Sequence, residues 1–134
     1  MTERCHTIDY TGMATIHDHG DSLDVLFLVS DPWNLEPLAE VISDDMWKYG
    51  HRVDVAYWVA DQPATLDELQ QRWTIHTLGG ELDAEWNVRY SDVTGYLFTD
   101  EELKVGGHDL LAELTSHVGK YIHLRITYHG EVTL

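Results

Sequence analysis

The sequence predicts an α+β, β-rich fold. About six mostly antiparallel strands are expected, with two or three short helices, in a single domain spanning residues 1–134. Three observations carry this. Strand-length segments alternate apolar and polar residues or run wholly apolar. Capping boxes and Gly stops break them up with short helices. The order β-β-α-β occurs twice, so two pseudo-repeats could close a small barrel. The alternative is an open antiparallel sheet with helices on one face.

Residues 1–9 are polar and are expected to fray. Thr11 to His17 (TGMATIH) and Leu23 to Ser30 (LDVLFLVS) read as a hairpin around Asp18-His19-Gly20-Asp21, with Gly20 in the turn. Residues 34–49 are ambiguous. Leu35, Leu38, Val41, Ile42 and Met46 suit a helix with Asn34 as N-cap, whereas 38–42 alone could be a strand. Gly50 ends the segment either way. In His51 to Ala60, Val53, Val55 and Tyr57 alternate with a wetter face.

Thr65-Leu66-Asp67-Glu68 is a capping box and opens a helix expected to reach about Thr77, ended by Gly79-Gly80. Residues 84–91 and 93–98 read as extended. Thr99-Asp100-Glu101-Glu102 reads as a second capping box. Gly106-Gly107 is a turn, and His108 or Asp109 starts the last helix, with Leu110, Leu111 and Leu114 inward and Gly119 beyond its end. In the final strand Ile122, Leu124, Ile126 and Tyr128 face the core.

The two halves echo one another. Asp45, Met46 and Gly50 lie on Asp109, Leu110 and Gly119 when Val41 to Val55 is laid on Val105 to Leu124. The pseudo-repeats are therefore expected at 11–60 and 84–129, with the helix at 65–77 between them. One such unit is too small to cover its own apolar face.

Charge narrows the function classes. Twenty-four acids against eight Lys and Arg leave a formal charge of −16. A nucleic-acid binder needs clustered cations to displace counterions, and here the cations are scattered singly. Direct nucleic-acid binding and adhesion to a membrane are therefore not expected. One cysteine, Cys5, permits neither an intrachain disulfide nor a Cys-rich zinc site. The start MTERCHTIDY has no apolar signal region. The expected location is the cytoplasm, or a host's cytoplasm if the protein is phage-encoded.

Among nine histidines, His17, His19 and Asp21 are the candidate metal ligands, because H-x-H beside carboxylates can hold zinc or iron. The competing reading is a hairpin turn, where His, Asp and Gly are common for conformational reasons. No cofactor is expected. His123 and His129 lie about 20 Å apart on an extended strand and do not form a ligand pair. His108-Asp109 reads as helix capping. Cys5 beside His6, at an expected frayed end, is a poor nucleophile site. The acid pairs at helix starts complement the dipole.

The five Trp residues (33, 47, 58, 73 and 86) are many for this length. If two or three reach the surface among acids they form an anchor patch for a protein partner. The run Thr94 to Tyr121 (TGYLFTDEELKVGGHDLLAELTSHVGKY) resembles small prokaryotic or phage proteins, a resemblance that assigns no activity. The functional expectation is a small acidic, non-enzymatic binding or regulatory module, acting on a protein partner or by self-association. One alternative is an acidic nucleic-acid mimic that inhibits a host defence or DNA-binding protein. Another is a small metal-dependent enzyme or ligand binder using His17 and His19.

Overall fold

The last strand of the chain lies near the middle of its sheet, flanked by the first and third. The computed structural model describes residues 2–18, 24–29, 37–72, 74–90, 92–93, 95 and 97–132. The elements are β1 (Thr2–Asp18), β2 (Asp24–Val29), α1 (Leu38–Tyr49), β3 (Arg52–Ala60), α2 (Leu66–Arg72), β4 (His76–Tyr90), β5 (Leu97–Val105), β6 (His108–Asp109), α3 (Leu110–Thr115) and β7 (Tyr121–Val132). The sheet order is β2-β1-β7-β3-β4-β5-β6. Every pairing is antiparallel. Six long strands curl into a half-barrel, with three short helices and the two-residue β6 at one edge.

The curl follows from two long strands that change partners. β1 pairs with β7 over Thr2–Met13 and with β2 over Met13–Asp18. β4 pairs with β3 over His76–Glu81 and with β5 over Leu82–Tyr90. At the β4 changeover Gly80 has φ +149°, and a Cβ there would stand 2.8 Å from Gly106 Cα. Only glycine permits that backbone approach.

The order of the long strands reads the same when β1, β2 and β3 are exchanged with β4, β5 and β7. β3 and β7 pair across the centre, from Arg52↔His129 to Ala60↔Tyr121. The segments that exchange run from Thr2 to Ala60 and from His76 to Val132, wider at their starts than residues 11–60 and 84–129.

Alternation divides the sheet faces. Ile122, Leu124, Ile126 and Tyr128 of β7 are fully buried, with Val53, Val55 and Tyr57 of β3 beside them. Burying each such side chain favours folding by about 1.5–3 kcal/mol. α1 adds Leu38, Ile42 and Met46 to the same core, and α3 adds Leu110 and Leu114. α2 serves the opposite face, where Leu69 packs on Trp58 and Ala60. A hydrogen-bonded chain pins α1 to the sheet: the Tyr10 hydroxyl donates to Asp45 Oδ2 at 2.6 Å and meets the Tyr128 hydroxyl. Burial foremost pushes both phenols above their ordinary range.

Local signals held where no long-range pairing competed. Thr65 caps α2: Glu68 N donates to Thr65 Oγ1 at 3.3 Å, and Glu68 Oε1 accepts from the Thr65 hydroxyl at 3.2 Å rather than from its backbone N–H as in the full box. Asp109 caps α3 by accepting from Ala112 N at 3.1 Å. Residues 38–42 are helical, with Pro37 at the N-cap position and no side-chain cap; Asn34 lies outside the described residues. Gly50 ends α1 at φ +130°, where a Cβ would meet His129 O at 2.5 Å.

Sheet pairing overrode other expectations. The supposedly frayed residues 2–9 form half of β1, held by β7. α2 stops at Arg72, and His76 to Gly80 belong to β4, against β3, instead of ending a helix. Thr99 to Glu102 is no capping box: it lies in β5 opposite Glu85 to Val88. There the ladder satisfies the backbone groups that a helix would otherwise use.

Candidate functional site

The second half of α1 turns one aromatic outward. Ile42 and Met46 occupy its buried stripe, and Trp47, the next residue round the helix, stands 73% exposed. It packs edge-on against His51, with ring centroids 4.7 Å apart. Trp86 of β4, half-buried, lines the same cleft, together with Asp83, Glu85 and, from β5, Glu102. The cleft measures ≈ 490 Å³. Lys104 Nζ lies 3.4 Å from Glu102 Oε1 at its margin. Carboxylates beside indole faces suit a cation, held by charge and by the ring quadrupole.

A second set of polar groups lies where the half-barrel's edges approach. Leu26 N of β2 donates to Glu101 Oε2 of β5 at 3.4 Å. A β5 side chain, rather than another backbone, therefore meets β2, and an inward charge of this kind protects an edge against pairing with a second chain. Burial raises the Glu101 carboxyl to about 7, against the lowering effect of the Leu26 N–H. A further cavity of ≈ 430 Å³ is lined by Tyr57, His76, His108 and Glu113, among others. The buried Tyr57 hydroxyl has no hydrogen-bond partner among the described residues. His76 stacks on its ring at 4.7 Å, and burial, then Glu113, raises the phenol.

The outer sheet face carries a polar row along β7. Arg125 donates twice to Asp9, at 2.8 and 3.2 Å. This pairing foremost holds the Asp9 carboxyl below its usual range. His123 Nε2 lies 3.3 Å from the same Asp9 but off hydrogen-bonding direction. His129 instead bridges Asp54, 2.7 Å from Nε2, and Cys5, whose Sγ lies 3.2 Å from Nδ1. His123 and His129 thus lie against different carboxylates.

The candidate metal trio His17, His19 and Asp21 lies largely outside the described residues. His17 pairs with Val25 in the β1–β2 ladder, while its side chain, His19 and Asp21 lie outside the described residues. Among the described residues no group of three or more His, Cys, Asp or Glu is arranged to hold a metal ion. Trp33 and Trp73 also lie outside; Trp58 is core, under α2. His108 joins Glu113 at 3.1 Å. Sequence reasoning missed the Cys5–His129–Asp54 grouping, because only strand register brings together residues so distant in the chain.

Compared with known proteins, the chain matches no family model, no curated protein and no solved structure. Among the described residues, no helix is long and apolar enough to cross a membrane.

Proposed function

We propose that the protein is a binding module that takes a Lys- or Arg-bearing segment of a protein partner into the Trp47–Trp86 cleft. One observation carries this reading: an indole 73% exposed stands in a ≈ 490 Å³ cleft whose other walls include Trp86, Asp83, Glu85 and Glu102. Exposed Trp is a common binding anchor. The net charge of −16 draws a basic partner in at long range. On the same reading the chain is one domain of two pseudo-repeats, and the module works without catalysis.

The nucleic-acid mimic has less support. A mimic needs a continuous acidic ridge, and the acids that the described residues bring together, Asp83, Glu85 and Glu102, line a cleft instead.

The test is a fluorescence titration with short Lys-rich and Arg-rich peptides. Trp47→Ala is expected to weaken binding by about tenfold or more, while the fold persists because Trp47 is largely outside the core. Equal affinity in wild type and Trp47→Ala, at matched salt, would reduce the attraction to bulk charge and overturn the reading.

A further inference from the structure

Cys5, His129 and Asp54 come from three adjacent strands, β1, β7 and β3. Cys5 and His129 are directly opposite in the β1–β7 register. Cys5 is exposed. Asp54 as a carboxylate can only accept, so at 2.7 Å it calls for a proton on His129 Nε2. That tautomer leaves the Nδ1 lone pair facing Cys5 Sγ at 3.2 Å. The arrangement is a thiol, a base able to take its proton, and a group that orients the base. Gly79 contributes by having no side chain: a Cβ there would stand 2.8 Å from Asp54 Oδ1. On the Asp54 side of the trio lies a trough of ≈ 370 Å³, lined by Asp54, Ala56, Gly79 and Thr127 among others.

We propose that Cys5 is a nucleophilic thiol site for small disulfides, with His129 as its base and Asp54 as the positioning residue. The Cys5 proton passes to His129 Nδ1. The sulfur attacks one sulfur of the disulfide, the S–S bond breaks, and the leaving thiolate takes the proton back from the imidazolium. Atoms balance and no net oxidant is consumed, since one disulfide replaces another.

Disulfide exchange is favoured over acyl transfer for a structural reason. An acyl intermediate needs N–H donors for its oxyanion, and around Cys5 the β1 and β7 backbones face each other in a continuous ladder. Exchange needs only the thiolate and access to it. The chain has one cysteine, so no internal thiol can resolve the mixed disulfide. It persists until an outside thiol reverses it.

The experiment is stopped-flow reaction of the folded protein with oxidised glutathione, read by mass spectrometry, for wild type, His129→Gln, Asp54→Asn and Gly79→Ala. Reaction with iodoacetamide, which needs no trough, runs in parallel. Wild type is expected to react with both reagents about tenfold faster than His129→Gln, and Asp54→Asn is expected to fall between them. Gly79→Ala should slow the reaction as Asp54→Asn does. Unfolding the wild type in urea should lower its rate, a control that needs no variant. Equal rates for wild type, His129→Gln and Asp54→Asn, or faster reaction in urea, overturn the proposal. Fast alkylation without glutathione capture overturns the assignment of disulfides as the ligand class.

Discussion

Glu101→Gln tests what the seam between β2 and β5 costs. The wild-type carboxyl is raised from an ordinary 4.5 to about 7, chiefly by burial. The folded protein therefore holds this proton more tightly than the unfolded chain. As pH rises from about 4.5 to about 7 the unfolded chain ionises first, so stability falls through that window and levels off above it. At about 1.36 kcal/mol per pH unit the full rise sets a ceiling of about 3.4 kcal/mol. The side chain is only half-buried, and solvent screening reduces the expected loss to about 1–2 kcal/mol. Gln keeps an acceptor for Leu26 N–H and cannot ionise. Urea unfolding across the same pH range is the assay. Wild type should lose about 1–2 kcal/mol more than Glu101→Gln between the acid and alkaline ends. Parallel curves would refute the argument, because they would mean that the ionised carboxylate is fully hydrated where it sits.

Tyr57→Phe removes a buried hydroxyl that has no hydrogen-bond partner among the described residues; thermal unfolding should show the variant unchanged or about 1 kcal/mol more stable. Gly50→Ala places a Cβ against the His129 carbonyl at a positive φ, and should cost more than about 1 kcal/mol in chemical denaturation. Asp9 is held down chiefly by Arg125. Its stabilising contribution is complete above the usual carboxylate value of 3.8 and is lost as pH falls through the lower folded value. Asp9→Asn should accordingly flatten the acid limb of a pH–stability curve while leaving its shape near neutrality unchanged.

The parts of the fold legible in the sequence are those with a local cause. The β7 alternation of Ile122, Leu124, Ile126 and Tyr128 matches the burial, and the Thr65 and Asp109 caps hold their helix starts. Trp47 among acids was readable as a class of feature, though the sequence could not say which Trp would be exposed. The polar run Thr2 to Asp9 has no strand signature of its own. It becomes a strand because β7 offers a complete ladder of partners. Thr99 to Glu102 carries a helix-start pattern, yet pairing with β4 satisfies its backbone more fully than one short turn would.

By itself, then, the sequence determined the α+β class, the apolar face of the central strands, the helix starts and the excess of acids, because each depends on neighbours within a few residues. The tertiary structure decided the half-barrel, the placing of Trp47 beside Trp86, the Glu101 seam and the meeting of Cys5, His129 and Asp54. Those depend on register between strands up to 124 residues apart. A shift of one residue would turn Trp86, Glu101, Cys5, His129 or Asp54 to the other face of the sheet, while Trp47 is placed by the packing of α1 on the core.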